Sequence, residues 1–254
     1  MKVVILAGGL GTRLSEYTES VPKPMVTIGG KPILWHIMNC YSSQGFDNFI
    51  VALGHKGEVI KDFFLNYSSR NSDLDIDLST GKITSIDRQV ERWSVRLVGT
   101  GQATLTGGRL RRLREVLQDD AFMLTYGDAV SNVDINQLLA FHKSHGKLVT
   151  VTAVHPPARF GELDLAGDAV VNFKEKPQVN QGWINGGFFV MEPEFLSFIE
   201  GDSTILEKEP LEKAASLGEL MAFRHDGFWH CMDVKRDRDA LEQLWESGMR
   251  PWVR

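Results

Sequence analysis

Short apolar runs alternate with segments of helical periodicity along most of the chain. Val3–Leu6, Phe49–Leu53 and Ala121–Tyr126 are rich in β-branched and aromatic residues, which is typical of buried strands. Between the first two runs and after the second, apolar residues recur at helical spacing in Pro32–Tyr41 and Val59–Tyr67. Strands that alternate with helices form parallel sheets through right-handed crossovers. The pattern therefore predicts an α/β fold in which helices flank a mainly parallel sheet.

The rest of the chain continues this pattern with shorter elements. Residues 74–97 alternate apolar and polar positions over short stretches, which predicts a small antiparallel β insertion. Residues 162–174 have the pattern of a hairpin. Further helices are predicted at Leu110–Leu117, Ile135–His142, Pro193–Ile199, Pro210–Leu217 and Arg236–Glu246, and further strands at Lys147–Val154, Ile184–Val190, Leu220–Arg224 and Phe228–Cys231.

Composition and charge limit the class of partner. The 254 residues are enough for one large domain with a sizeable core. The net charge of −5 argues against non-specific nucleic-acid binding, and no apolar run reaches the ~18 residues of a membrane span. Cys40 and Cys231 lie in apolar stretches, as expected for buried thiols in a reducing compartment. The chain starts directly with a predicted strand, without a signal peptide. We therefore expect a cytoplasmic protein that binds neither nucleic acid nor membranes.

The first predicted strand leads into a glycine-rich turn that predicts an anion site. Gly8, Gly9 and Gly11 lack Cβ atoms, so backbone N–H groups can approach a ligand closely. Arg13 adds a guanidinium group that can contact two phosphate oxygens at once. Lys23 follows between two prolines that stiffen the backbone. These cations and amides together favour a negatively charged ligand held at two points.

Two common phosphate-binding motifs do not match this turn. A P-loop requires Lys-Ser or Lys-Thr after its glycines, and neither pair follows here. The dinucleotide fingerprint requires a third glycine at the position of Leu14, and an acidic residue at the end of the second strand. A nicotinamide-dependent dehydrogenase is therefore a weak alternative.

Two later segments carry candidate chemistry of their own. Asp128 follows a predicted central strand and the small residue Gly127, a position that suits Mg²⁺. Residues 98–109 form a second glycine-rich loop before a predicted helix. The N-terminus of that helix could direct amides at an anion, with Arg109 beside it.

Several of these stretches resemble a known enzyme family. Leu6–Leu14 followed by Lys23–Met25 resembles the signature of the sugar-1-phosphate nucleotidylyltransferases. Thr100–Leu110 and Trp245–Trp252 resemble the glucose-1-phosphate cytidylyltransferases, and the resemblance runs from Met1 to Trp252. It implies a Rossmann-like mixed, mainly parallel sheet with small antiparallel β insertions, a nucleotidyltransferase activity and a homo-oligomer.

The resemblance also implies a set of site residues. The nucleotide is expected at the two glycine-rich loops, at Leu6, Ala7, Gly8, Gly9, Gly11, Thr12, Arg13, Lys23, Thr104, Arg109 and Gly127. The sugar phosphate is expected at Glu175, Lys176, Asn185 and Gly186, whose carboxylate, ammonium and amide groups suit hydroxyls and an anomeric phosphate. Asp128 and Asp233 are expected to bind Mg²⁺, and Arg13, Lys23 and Asp128 to act in catalysis. Residues 1–146 would then form mainly a nucleotide-binding lobe, and residues 147–254 mainly a sugar-phosphate-binding lobe and C-terminal helix, within a single domain.

The implied reaction transfers a cytidylyl group from CTP to α-D-glucose 1-phosphate and gives CDP-glucose and pyrophosphate. The family usually has Asp where this chain has Gly99. Transfer from UTP or dTTP, or to a different hexose 1-phosphate, therefore stays an alternative. A non-catalytic regulator that binds nucleotide sugars is the alternative from another class of protein.

Overall fold

The structure, a computed structural model, describes residues 1–86, 90–156, 162–166, 169–174 and 182–253. Its strands are β1 (Val3–Ala7), β2 (Thr27–Ile28), β3 (Lys31–Pro32), β4 (Asn48–Leu53), β5 (Asp73–Asp77), β6 (Lys82–Ile86), β7 (Ser94–Gly99), β8 (Phe122–Tyr126), β9 (Ala129–Ser131), β10 (Val149–Val154), β11 (Glu162–Ala166), β12 (Ala169–Lys174), β13 (Ile184–Met191), β14 (Leu220–His225) and β15 (Trp229–Cys231). Its α-helices are α1 (Ser15–Thr18), α2 (Ile33–Ser42), α3 (Gly57–Leu65), α4 (Tyr67–Arg70), α5 (Thr106–Arg112), α6 (Arg114–Leu117), α7 (Ile135–His145), α8 (Glu209–Ser216) and α9 (Lys235–Glu246). Short 3-10 helices lie at Thr12–Leu14, Lys23–Met25 and Pro193–Phe198.

A seven-stranded sheet in the order β14-β10-β13-β8-β1-β4-β7 organises the fold. Neighbouring strands run parallel except at β13, which is antiparallel to both β8 and β10. The predicted mixed, mainly parallel sheet flanked by helices is therefore confirmed. Because β13 runs in the opposite direction, its first residues lie at the same edge of the sheet as the last residues of β1 and β8. This edge is where ligands of such sheets bind.

The sheet is buried on both faces. Val3 and Ile5 of β1 pack on the side of α2, α7 and α9, whereas Val4 and Leu6 pack on the side of α5, α6 and α8. All five residues of β1 are buried, as expected for a central parallel strand. Among the described residues, no helix combines the length and hydrophobicity needed to cross a bilayer.

The predicted insertion is only partly confirmed. Strands β5 and β6 form the expected antiparallel hairpin outside the main sheet. Val95 and Leu97 do not belong to it, because β7 pairs in parallel with β4 as the edge strand of the main sheet. An edge strand with one exposed face alternates polar and apolar residues, and this pattern does not reveal the direction of its partner.

The strand predicted at Phe228–Cys231 is present as β15, but its partner β9 was not predicted from the pattern. The two strands, three residues each, pair in an antiparallel manner beside the main sheet. The helix predicted at Val59–Tyr67 is interrupted at Asn66, between α3 and α4. Elements of three or four residues are too short to produce a detectable period.

Candidate active site

Two adjoining cavities open at the edge of the sheet where β1 and β8 end. The first cavity has a volume of about 410 Å³ and is lined by the first glycine-rich turn, Lys23 and parts of the second loop. The second cavity has a volume of about 680 Å³ and is lined by the start of β13, by β15 and by α9. Four residues line both cavities, namely Arg13, Tyr126, Asp128 and Asp233.

The structure gathers the predicted residues into these two cavities. All of the residues predicted for the nucleotide line the first cavity, namely Leu6, Ala7, Gly8, Gly9, Gly11, Thr12, Arg13, Lys23, Thr104, Arg109 and Gly127. Asn185 and Gly186, predicted for the sugar phosphate, line the second cavity. Glu175 and Lys176 lie outside the described residues.

A cluster of opposite charges lies where the cavities meet. Lys23 Nζ donates to Asp128 Oδ2 at 2.7 Å and to Asp233 Oδ1 at 3.0 Å. Arg13 Nη1 donates to Asp233 Oδ2 at 2.5 Å, and its side chain is largely exposed. The Lys23 side chain is only 13% exposed, so its two ion pairs are poorly screened by water. The two aspartates, 105 residues apart in the chain, therefore face one another across a single ammonium group.

The carboxylates keep Lys23 charged. Burial lowers the pKa of its ammonium group, but the nearby Asp128 and Asp233 outweigh burial and raise the pKa above its usual value of 10.5. Burial, followed by Asp128, raises the pKa of the neighbouring Cys231 thiol, which is thus neutral at physiological pH. The cluster therefore contains a positively charged Lys23 beside a neutral Cys231 thiol.

The β9–β15 pair brings the two aspartates together. Asp128 directly precedes β9, and Asp233 follows β15 after one intervening residue, Met232. Ala129 lies opposite Cys231 in the strand pair, and the amide of Met232 donates to the carbonyl of Asp128 at 2.8 Å. Gly127 allows β8 to end close to β1, since a Cβ there would lie 2.9 Å from the carbonyl oxygen of Leu6. Two segments distant in sequence are thereby held in register by main-chain hydrogen bonds.

The first glycine-rich turn has the tight geometry that its sequence predicts. Gly11 has a φ of +65°, which favours glycine, and its carbonyl accepts from the amide of Leu14 and from Thr18 Oγ1, both at 3.0 Å. The carbonyl of Gly8 accepts from the amide of His55 at 3.3 Å and from Arg109 Nη2 at 2.9 Å. Both carbonyls are thus engaged by the protein.

Arg109 supports the turn from below. It is 4% exposed, and Nη1 donates to the carbonyls of Leu53 and Gly101 and to Thr100 Oγ1 at 2.7 to 3.2 Å. Burial lowers the pKa of its guanidinium, and no carboxylate among the described residues pairs with it. A Cβ at Gly8 would lie 2.2 Å from its guanidinium carbon. Arg109 lines the first cavity, but its hydrogen bonds tie the two glycine-rich loops together.

Two glycine amides near the start of the helix after the second loop are engaged by the protein. The amides of Gly107 and Gly108 donate to the carbonyl of Thr204 at 3.0 and 3.3 Å. A Cβ at Gly108 would lie 2.4 Å from the carbonyl oxygen of Asp202. The Gly-Gly pair therefore serves close packing against residues 202–204, and the anion site expected at this N-terminus stays a prediction.

The acidic pair fits a divalent metal ion of the magnesium type. Mg²⁺ in phosphate-transferring sites is held by one or two carboxylates, with the remaining ligands from water and substrate phosphates. Asp128 and Asp233 supply two such carboxylates beside the glycine-rich turn. Among the described residues, no group of three or more His, Cys, Asp or Glu side chains could hold a metal by itself. A metal at this position would therefore depend on substrate oxygens.

Several lining residues were missed from the sequence. Tyr126, Thr106 and Glu207 line the first cavity, and His230 and Arg236 line the second. The position of Tyr126 before Gly127 and Asp128 offered a signal, since it ends the same central strand. Glu207 stands in a polar connection, and nothing in its local pattern distinguishes it from a solvated surface residue.

The structure places a glycine-rich turn beside two aspartates at the ligand-binding edge of the sheet, and comparison with known proteins shows which family has this fold. A sequence model of the family described as "Nucleotidyl transferase" matches residues 2–230. The chain therefore belongs to the nucleotidyl transferase family. Enzymes of this family generally use a divalent metal ion.

Individual relatives narrow the class further. Glucose-1-phosphate cytidylyltransferase of Salmonella typhimurium is 53% identical over 99% of this chain and 98% of that protein. The probable glucose-1-phosphate cytidylyltransferase of Bacillus subtilis is 41% identical over 99% of each chain. The crystal structure of HddC from Yersinia pseudotuberculosis superposes with a TM-score of 0.70 at 25% identity, covering 96% of this chain and 99% of that one. The predicted resemblance and the prediction of a nucleotidyltransferase are thereby confirmed.

Proposed function

We propose that this protein transfers the cytidylyl group of CTP to α-D-glucose 1-phosphate, giving CDP-glucose and pyrophosphate. The observation that carries the proposal is the charged cluster of Arg13, Lys23, Asp128 and Asp233 where the two cavities meet. Lys23 lines the first cavity, and the other three residues line both. The two relatives named as glucose-1-phosphate cytidylyltransferases support the choice of base and sugar.

The chemistry follows from charge. A phosphate monoester is largely dianionic at neutral pH, because its second pKa is about 6. Its oxygen can therefore attack the α-phosphorus of CTP in line, without a general base. The difficulty is to bring two polyanions together, and positioning of this kind can supply roughly 7–11 kcal/mol of the barrier.

Each cavity holds one of the two substrates. CTP occupies the first cavity, where the turn at Gly8–Gly11 provides close approach, and the sugar phosphate occupies the second, at Asn185 and Gly186. Glu175 and Lys176 are proposed to complete the sugar side. The phosphate of glucose 1-phosphate and the α-phosphate of CTP then meet at the charged cluster.

The two cations have different tasks. Lys23 stabilises the charge that grows on the α-phosphate, because its buried ammonium group lies at the junction of the cavities. Arg13 is exposed and reaches the junction from the rim, where it holds the departing pyrophosphate. Asp128 keeps Lys23 in place until substrate phosphates replace it as a partner.

Asp128 and Asp233 are also the residues that would hold Mg²⁺. Bound there, the ion would supply positive charge that neutralises the reacting phosphates. The protein contributes two carboxylates held on separate segments, beside which a divalent cation would gain affinity when the phosphates arrive.

We also propose an assignment of lobes, a compartment and an oligomer. Residues 1–146 mainly bind nucleotide and residues 147–254 mainly bind sugar phosphate within one domain, and the enzyme works in the cytoplasm. Self-association is supported by the β5–β6 hairpin, where Leu78 is 90% and Ile83 63% exposed. An isolated two-stranded hairpin is marginally stable, so a second copy that covers these side chains stabilises it. A solution mass of one chain, 28.5 kDa, would contradict this.

A substrate matrix tests the proposed reaction. CTP, UTP, dTTP and GTP are each incubated with Mg²⁺ and with glucose, mannose or galactose 1-phosphate, and the products are identified by mass. We expect CDP-glucose to form with the highest kcat/KM. A higher value for another pair shifts the specificity, and no product from any pair favours a binding regulator. Asp128→Asn serves as the inactive control.

A further inference from the structure

Tyr126 stands between the two cavities and has partners on both sides. Its hydroxyl donates to Glu207 Oε1 at 2.6 Å, and Asn185 Nδ2 donates to the same hydroxyl oxygen at 3.3 Å. Glu207 lines the first cavity, Asn185 lines the second, and Tyr126 lines both. A hydrogen-bonded chain therefore runs from one cavity to the other.

The single proton of Tyr126 determines the direction of each hydrogen bond in this chain. Because the hydroxyl donates that proton to Glu207, it can only accept from Asn185. Glu207 itself is held by Thr106 Oγ1, which donates to Oε2 at 2.8 Å. A tyrosine hydroxyl ordinarily keeps its proton at physiological pH, because the reference pKa of tyrosine is about 10.

The amide of Asn185 is consequently oriented. Its nitrogen faces Tyr126, and its oxygen accepts from the amide of Gly187 at 2.9 Å. These contacts use one of the two N–H groups and one of the two oxygen lone pairs of the side chain. One donor and one acceptor, at known ends of the amide, remain for a ligand in the second cavity.

The ring of Tyr126 is fitted to the same segment. It packs edge-on against Phe189, with 6.0 Å between ring centroids. Gly187 has a φ of +75°, and a Cβ there would lie 3.2 Å from Tyr126 Cδ2. The start of β13 is thus shaped around this ring as well as bonded to its hydroxyl.

We propose that Tyr126 and Glu207 are positioning residues that hold the Asn185 amide in one orientation, and that this orientation makes the second cavity selective among hexose 1-phosphates. The proposal rests on the proposed function, because it takes Asn185 as a sugar contact. A held amide rejects an epimer whose hydroxyl meets the wrong end, since a polar group then stays unpaired. Without the Tyr126 hydroxyl, only the Gly187 amide among the described residues holds this side chain, and a less firmly held amide discriminates less between epimers.

The test compares Tyr126→Phe, Asn185→Ala and the double variant. Phenylalanine keeps the ring contacts with Gly187 and Phe189 and removes only the hydroxyl. Tyr67→Phe is the matched control, because the Tyr67 hydroxyl also donates to a glutamate, Glu91, and accepts from an N–H group, Trp35 Nε1, outside both cavities. The readouts are kcat and KM for CTP, kcat/KM for three hexose 1-phosphates, and the melting temperature.

We expect Tyr126→Phe to lower kcat/KM for the preferred sugar phosphate about tenfold, mainly through KM, the usual scale for one hydrogen-bond partner lost. The KM for CTP stays within about twofold, and the preference over epimers shrinks. The double variant is expected to match Asn185→Ala alone, because Tyr126 acts through that amide. Glu207→Gln, whose amide can also donate to Tyr126, is expected to reduce the preference in the same way.

Additive losses in the double variant overturn the proposal, as does an unchanged preference among hexose 1-phosphates in Tyr126→Phe. So does an equal loss of preference in Tyr67→Phe, since that result means a general effect on the fold. The ratios are measured with whichever sugar phosphate the unmodified enzyme prefers. A preference for a sugar other than glucose therefore refutes the proposed reaction and leaves this inference open to the same measurement.

Discussion

Replacement of Lys23 by methionine tests the charged cluster most directly. The variant keeps most of the aliphatic stem and removes the ammonium group that lies 2.7 Å from Asp128 and 3.0 Å from Asp233. Removal of one preorganised charge costs on the order of a hundredfold in kcat. A hundredfold loss corresponds to about 2.7 kcal/mol of transition-state stabilisation. We expect at least this loss at saturating CTP and glucose 1-phosphate.

The same change has a second consequence, for stability. Two carboxylates roughly 5 Å apart at an effective dielectric constant of 20 repel by about 3 kcal/mol. Arg13 offsets part of this repulsion through Asp233. We therefore expect the variant to be less stable than the unmodified protein.

Pyrophosphate release measures the first effect, and urea unfolding measures the second. Lys147→Met is the matched control, because Lys147 pairs with Glu219 at 3.1 Å away from both cavities. Turnover of Lys23→Met within about tenfold of the unmodified enzyme would refute the assigned role of Lys23. A larger loss in both variants would instead point to a general effect of removing a lysine.

Three further predictions follow from the site and its surroundings. Excess chelator is expected to abolish pyrophosphate release, and Asp233→Asn to raise the Mg²⁺ concentration that restores half of the activity; full activity in chelator contradicts this. His36 is 1% exposed and its Nδ1 accepts from Trp252 Nε1, and burial lowers its pKa below 6.5. The unfolded chain thus binds more protons just below pH 6.5, so the free energy of unfolding decreases as the pH is lowered through this range. This group contributes at most about 1.4 kcal/mol per pH unit, and His36→Gln should flatten the pH dependence measured by urea unfolding. Gly8→Ala is expected to destabilise the protein by about 1–3 kcal/mol through the clash with Arg109, whereas Gly9→Ala, with no atom within 4 Å, changes the unfolding free energy by less than about 0.5 kcal/mol; equal effects would refute the packing role of Arg109.

Much of the fold and of the site could be predicted because it depends on local sequence. The apolar run of β1 and the glycines after it determine a buried strand and a tight turn within 14 residues. Asp128 could be placed because it follows a central strand directly. The side of the sheet on which these residues meet then follows from parallel topology.

The features that could not be predicted depend on partners distant in sequence. Arg109 has the charge of a phosphate ligand, but its hydrogen bonds go to carbonyls of three separate segments. Strand β7 has the alternation of an exposed hairpin, and only its pairing with β4 shows that it extends the main sheet. Glu207 joins the site through Tyr126, a contact across 81 residues that leaves no local pattern.

Because β13 runs in the opposite direction, the two proposed substrate sites are formed by different strands. In the proposed reaction, the nucleotide is recognised where β1 and β8 end, whereas the sugar phosphate is recognised where β13 starts. Changes in the sequence before Ile184 can thus alter the proposed sugar-phosphate site without displacing the first glycine-rich turn. In an architecture of this kind, the sugar preference can change during evolution while the proposed nucleotide site stays the same.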